Sequence, residues 1–199
     1  MMKPTILLMF ALLGGSCVSV LPVQAQKTVK PAKVTPSIKP LPVASVLKKA
    51  QSQAKKEKKS VLVIYHASWC GWCKRLDKVM EIPDFKKTIS ENYVVVHLDV
   101  MENGDKKVLE NPGGNELMKE MGGEKSGLPF YVFLDEKGKK LADSNVMAKD
   151  GNIGYPGAKN EITAFETLLT KTDPRLKPEQ SARLVEILKE NAPKPQGKE

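Results

Sequence analysis

Cys70 and Cys73 stand two residues apart in Trp69-Cys70-Gly71-Trp72-Cys73, between an apolar run, Val61-Leu62-Val63-Ile64-Tyr65, and a stretch of helical character from Lys74 to Met80. Two thiols at this spacing on a strand-to-helix junction can make and break a disulfide with each other. At a helix mouth the unpaired backbone N–H groups and the positive end of the macrodipole stabilise an anion, so Cys70 is expected to ionise and attack. Lys74 and Arg75 add positive charge nearby. Cys73, one turn deeper on the same face, is placed to attack a mixed disulfide on Cys70 and release the product.

Other chemistry is open to the same pair. A lone CxxC can be half of a zinc site, but structural zinc takes four ligands, and the chain's two histidines, His66 and His97, are the other strong candidates. A module that hands on copper(I) or zinc through Cys70, Cys73 and one histidine is the alternative from a different class, since thiolates favour soft ions. A non-catalytic binding domain is a third. A purely structural staple is the weakest reading, because so short a loop constrains the unfolded chain little. The redox pair is preferred and no metal is assigned.

The elements that must hold these thiols alternate between helix and strand. The pattern predicts a helix near Ala44 to Lys58, the strand Val61 to Tyr65, the motif helix ending at Met80, and a further helix after Pro83. Tyr93 to Val100 is a valine-rich run suited to a buried strand. Asn115 to Met121 reads as a short helix ended by Gly122-Gly123, and Phe130 to Leu134 and Lys140 to Val146 flank a hairpin signal at Asp135-Glu136-Lys137-Gly138. Glu161 to Leu169 is expected to be helical. Pro178 to Asn191 is expected to form an amphipathic helix with Leu184, Ile187 and Leu188 on one side. The order is that of an α/β domain with a central mixed sheet of four to five strands, flanked by helices and followed by an extra C-terminal helix.

From Ser60 to Thr170 the chain resembles the thioredoxin superfamily, in particular its exported bacterial thioredoxin-like members. The resemblance rests on Val61 to Tyr65 as the central strand, Trp69 to Cys73 as the active-site motif, and Gly127-Leu128-Pro129-Phe130 as the loop that carries a cis-proline. It implies a thiol:disulfide oxidoreductase in which Cys70 and Cys73 are catalytic. Trp69, Gly71, Trp72, Leu128, Pro129 and Gly154 would bind the substrate, Leu128 offering its backbone to an extended peptide. Without the resemblance, Pro129 is equally readable as the first residue of a strand, where a missing N–H does little harm.

The chain also departs from that pattern. Ile64 stands where thioredoxins carry a buried carboxylate, and His97 stands where a lysine often faces that acid. His66 and His97 are therefore the candidate proton relay, with packing roles as the alternative. Trp72 replaces the usual proline between the cysteines, which alters redox poise. The motif sits closer to reductants than to strong oxidants, so reduction is the preferred direction. Two loops, Met101 to Gly127 and Met147 to Gly157, are longer than a minimal thioredoxin needs and either tune partner choice beside the groove or are plain surface excursions. The implied partners are protein thiols or disulfides and an unidentified redox partner, with the protein a monomer. The Cys70–Cys73 disulfide serves in place of any cofactor.

Composition bounds the rest. With 199 residues and 41% apolar content there is room for one domain plus tails. Residues 1–25 read as a secretory signal, with Lys3, an apolar stretch from Ile6 to Leu13 and a small-x-small site at Val23-Gln24-Ala25. This implies export to a periplasm or beyond. Lipidation at Cys17 is the less favoured alternative, because Gly14 occupies the place of the usual bulky aliphatic residue. The net charge of +9 is unevenly spread: residues 27–59 hold ten lysines against one glutamate, whereas residues 60–199 hold 21 basic and 22 acidic residues. That split argues against nucleic acid as a partner. The basic part is read as a Lys/Pro-rich tether over 26–43 leading into the domain at 44–171, able at most to associate weakly with an anionic envelope surface. Residues 172–199 are read as the C-terminal helix and a disordered tail.

Overall fold

Along β1 (Ser60–His66) the side chains alternate between two separate cores, and the architecture follows from that alternation. Leu62 and Ile64 join one cluster, while Val61, Val63 and Tyr65 join another on the opposite face. A strand buried on both faces needs helices on both sides, and the chain supplies them.

The computed structural model describes residues 39–194. The signal-sequence reading over 1–25, Cys17 and the beginning of the tether lie outside the described residues, as do residues 195–199. Chain order runs α1 (Val43–Glu57), β1, α2 (Gly71–Met80), α3 (Pro83–Asn92), β2 (Tyr93–Asp99), a 3₁₀ turn at Gly104–Leu109, α4 (Gly114–Met118), a π-type turn at Lys119–Gly123, and β3 (Phe130–Leu134). It continues through β4 (Lys140–Asp143), β5 (Asn145–Met147), β6 (Gly151–Asn152), α5 (Lys159–Thr172) and α6 (Pro178–Glu190).

The main sheet has four strands in the order β2-β1-β3-β4. β1 runs parallel to β2, with Ser60 opposite Tyr93 and His66 opposite Asp99, and antiparallel to β3, with Tyr65 opposite Phe130. That second register does the positioning: it brings the start of β3, and hence the Leu128–Pro129 segment, alongside the end of β1 where the cysteine motif begins. This is the thioredoxin fold, a four-stranded mixed sheet flanked by helices.

One face of the sheet is covered by α1, which buries Val43, Ala50 and Ala54 among Val61, Val63, Val94 and Val96. The other is covered by α2, α3, α5 and α6 around Tyr131, Phe133 and Phe165. Pro83 is the first residue of α3, where its missing N–H would have had no partner in any case. The C-terminal helix is part of this core: Leu184, Ile187 and Leu188 are buried in it, against α3 and α5.

Two boundaries differ from the sequence reading. Lys140 to Val146 is not one strand. β4 ends at Asp143 because buried Ser144 turns back on β3, its N–H donating to the Tyr131 carbonyl (2.9 Å) and its Oγ accepting from the Tyr131 N–H (3.0 Å). The Asp143 carboxylate accepts from Asn145 N–H (2.8 Å), and the chain leaves the sheet to pair β5 with β6. Likewise the helix at 115–121 starts at Gly114 and ends at Met118, giving way to the π-type turn that carries Gly122 at φ 92°.

Candidate active site

β1 delivers the chain to a tight turn over Ala67 to Trp69, and α2 starts immediately afterwards. Cys70 is the N-cap of α2, in extended conformation, and its Sγ accepts a hydrogen bond from the Cys73 N–H at 3.1 Å. A thiolate at Cys70 would accept that bond more strongly than a thiol, in addition to facing the positive helix end. The two sulfurs are bonded to each other (S–S 2.08 Å) with the Cα atoms 5.3 Å apart. Both cysteines are nearly covered, 3% and 2% exposed, and pack with Ala67 and Leu128. Around them the surface is apolar and open, with Trp69 48% and Trp72 53% exposed.

Leu128–Pro129 is a cis peptide. The loop that carries it is held by residues that sequence reasoning passed over. Asn152, on β6, donates from its amide to the carbonyls of Gly127 (2.7 Å) and Pro129 (2.9 Å). Asn145, on β5, donates to the Gly122 carbonyl and accepts from Ser126 Oγ. The small β5–β6 hairpin is thus the buttress of this loop. Its only sequence signal was the run of turn-forming residues Asp143-Ser144-Asn145. Gly154 adopts φ +63° and shares a cleft of about 450 Å³ with Trp72, Leu128 and Tyr155. Gly71 and Trp72 line a second cavity of about 770 Å³ along α2.

The loop after β2 is strapped onto the motif. Trp69 Nε1 donates to the Met101 carbonyl (2.7 Å), and Glu102, only 2% exposed, accepts from the Ser68 N–H (2.5 Å) and the Ser68 hydroxyl (2.8 Å). Lys106 also reaches Ser68 Oγ at 3.1 Å. Glu102 lies in no periodic pattern, so nothing in the sequence marked it. Replacing it with alanine strands a backbone donor at the residue before Trp69, which costs about 1–3 kcal/mol. Urea unfolding of the oxidised protein is expected to show a Glu102→Ala midpoint lowered to match, and an unchanged midpoint would contradict the anchoring role.

His66 and His97 are neighbours on β1 and β2, their rings edge to face at 5.1 Å. Each pairs with a carboxylate at 3.3 Å, His66 with Asp99 and His97 with Asp77 on α2. Ile64 is buried in the core at the position of the missing acid. Among the described residues no group of three or more His, Cys, Asp and Glu side chains is arranged as a metal donor set.

Desolvation, and then the His66 imidazole, hold the pKa of His97 below the ordinary histidine value, against the opposing pull of Asp77 and Asp99. A base whose folded pKa is lowered takes up its proton more readily when unfolded. Its contribution to stability is therefore complete above about pH 6.5 and declines as pH falls from there toward the folded value. The denaturation midpoint of wild type is expected to fall more between pH 7 and pH 5 than that of His97→Gln. Parallel profiles would refute this assignment.

A four-stranded mixed sheet with a disulfide-bonded CxxC at the mouth of its first post-strand helix and a cis-proline loop beside it defines a thioredoxin-type domain. Residues 43–136 match the family model described as thioredoxin-like, and the domain that carries Cys70 and Cys73 is a thioredoxin-like domain. The chain is similar to a protein disulfide-isomerase of Triticum aestivum, 25% identical over 123 residues that make up 62% of this chain and 21% of that protein. It is similar also to a protein disulfide-isomerase of Hordeum vulgare, 28% identical over 109 residues, 55% of this chain and 18% of that one. The chain thus spans about a fifth of the length of the curated relatives it matches. Among solved structures it is similar to the disulphide isomerase from Xylella fastidiosa Temecula1, at 27% identity and a TM-score of 0.42, covering 50% of this chain and 71% of that one. Another is the oxidised DsbD C-terminal domain of Neisseria meningitidis, at 20% identity and a TM-score of 0.38, covering 52% and 84%.

Proposed function

We propose that this protein is an exported thiol:disulfide oxidoreductase that exchanges disulfides with protein thiols through Cys70 and Cys73 and works in the reductive direction. The observation that carries the reading is the bonded Cys70–Cys73 pair at the N-terminus of α2, with the Cys73 N–H directed at Cys70 Sγ. In the reduced form, the Cys70 thiolate attacks one sulfur of a substrate disulfide and expels the other as a thiolate. Cys73, having given up its proton, attacks Cys70 Sγ. The second substrate sulfur then leaves as a thiolate, and the two-electron oxidation of the pair yields the disulfide observed here.

His66 or His97 takes the Cys73 proton, a role left open by Ile64 and supported by their pairing with Asp99 and Asp77. Trp69, Gly71, Trp72, Leu128, Pro129 and Gly154 form the substrate surface, and a separate thiol donor restores the pair. Export is supported by the pattern of residues 1–25, and no helix among the described residues is long and apolar enough to cross a membrane. Direction is tested by equilibrating the protein with glutathione buffers. A potential more negative than about −180 mV is expected, and a value well above that, in the range of oxidants, would reverse the assignment.

A further inference from the structure

Beside the disulfide, on the α2 flank, lies the cavity of about 770 Å³ whose lining includes Trp72, Lys74, Arg75, Lys78, Tyr155 and Asn191. Three of these side chains are cationic and none is acidic. Trp72, from between the two cysteines, stacks on Tyr155 at 6.0 Å with the planes 19° apart, and the Arg75 guanidinium lies 5.4 Å from the centroid of the Tyr155 ring. Arg75 and the Tyr155 hydroxyl both donate to the Asn191 carbonyl, at 3.0 and 2.9 Å. The wall is therefore a fixed ladder of Trp72, Tyr155 and Arg75 tied to the end of α6. Lys74 and Lys78 project beside it, both exposed and one helical turn apart.

This positive charge is local and unneutralised. Residues 60–199 as a whole carry 21 basic and 22 acidic groups, yet none of the ion pairs among the described residues uses Lys74, Arg75 or Lys78. Asp77, the acid nearest in sequence, is turned to His97 on another side of the helix. On the opposite flank of Trp72, Glu161 lines the neighbouring cleft and accepts from the Gly157 and Ala158 N–H groups. The α2 flank of the disulfide is thus lined by three cationic side chains and no acidic one.

We propose that this α2 flank is the specificity subsite for acidic substrate segments: an extended peptide carrying Asp or Glu close to its reactive cysteine. The proposal rests on the oxidoreductase reading for its substrate and extends it. Along α2, Lys74 and Lys78 lie about 6 and 12 Å from Cys70 at 1.5 Å rise per residue. An extended peptide advancing about 3.3 Å per residue covers that range in two to four residues. A carboxylate two to four residues from the reactive sulfur therefore meets the lysines while an apolar or aromatic neighbour rests on Trp72 and Tyr155.

The test uses the oxidised full chain and two cysteine-free decapeptides, with serine at the reactive position and either Glu or Lys at the second to fourth positions on both sides. Exposed ion pairs each contribute a factor of about two to five, so two or three give roughly tenfold. The acidic peptide is expected to bind about tenfold more tightly than the basic one at low salt, as read by Trp fluorescence. The preference is expected to collapse in 0.5 M NaCl and to invert in the Lys74→Glu/Lys78→Glu variant. Affinities within twofold of each other, undetectable binding of both peptides, or a preference that survives the double variant would each overturn the subsite. Because no thiol takes part, cysteine-containing versions of the same peptides judge the exchange reading separately. Acidic-peptide binding without exchange would remove the oxidoreductase and leave the docking surface.

Discussion

A Cys73→Ala variant is expected to accumulate covalent mixed disulfides on Cys70, while Cys70→Ser loses disulfide exchange to background. The asymmetry follows from the geometry of the α2 entrance. Cys70 is the N-cap, and the bond its sulfur accepts comes from the backbone N–H of residue 73, which alanine retains. Attack by Cys70 therefore survives the substitution, and only the release step is lost. Removing Cys70 takes away the attacking sulfur at the helix mouth, and Cys73, one turn deeper, has no equivalent cap position. Insulin reduction measures the loss, and non-reducing electrophoresis displays the trapped adducts. Equal trapping by the two single variants would reverse the assigned roles.

The second large effect is on stability and comes from α6. Leu184, Ile187 and Leu188 are almost wholly buried among Ile89, Phe165, Leu168 and Leu169, so the helix completes the core under the sheet. Leu188→Ala is expected to cost about 2–5 kcal/mol. That is a large share of the roughly 5–15 kcal/mol that holds a domain folded. The effect extends to the site. The Asn191 carbonyl at the end of α6 is the acceptor for Arg75 and for the Tyr155 hydroxyl, and Tyr155 supports Trp72. Loosening α6 should therefore change the Trp72 environment at urea concentrations below the main transition. A loss of under about 1 kcal/mol would show that α6 is a peripheral cover, and a Trp72 signal that moves only with global unfolding would show that the Asn191 contacts do not carry a local loosening of α6 to the site.

Much of this arrangement was legible in the residues. Val61 to Tyr65 and Phe130 to Leu134 are continuous apolar runs because both strands are buried on both faces, and that pattern survives without any knowledge of partners. The Trp69 to Cys73 motif identifies itself by spacing, and Pro83 marked the start of α3. The polar scaffolding was not legible. Glu102, Asn145 and Asn152 each act through a pair of hydrogen bonds to segments far away in sequence, which leave no periodicity. β4 stops at Asp143 for the same kind of reason, since the hydrogen bonds between Ser144 and Tyr131 are tertiary. Tyr155 lies in the Met147 to Gly157 loop, where no periodicity marks it, and only the fold sets its ring against Trp72 and Arg75.

The histidine pair shows how a departure from a family pattern becomes a structural statement. Ile64 fills the core where an acid is absent, and polar pairs lie nearby, where His66 meets Asp99 and His97 on β2 meets Asp77 on α2. The ordinary buried acid and its lysine are replaced by two imidazole–carboxylate pairs that reach solvent.

The measurement that bears most directly on the whole account is the ionisation of Cys70 in the reduced protein, followed as the rate of alkylation by iodoacetamide against pH, with the modified residue identified by mass. A midpoint at least a full unit below the value of about 8.5 for a free cysteine is the predicted result. A midpoint at about 8.5, with Cys70 and Cys73 alkylated alike, would contradict it.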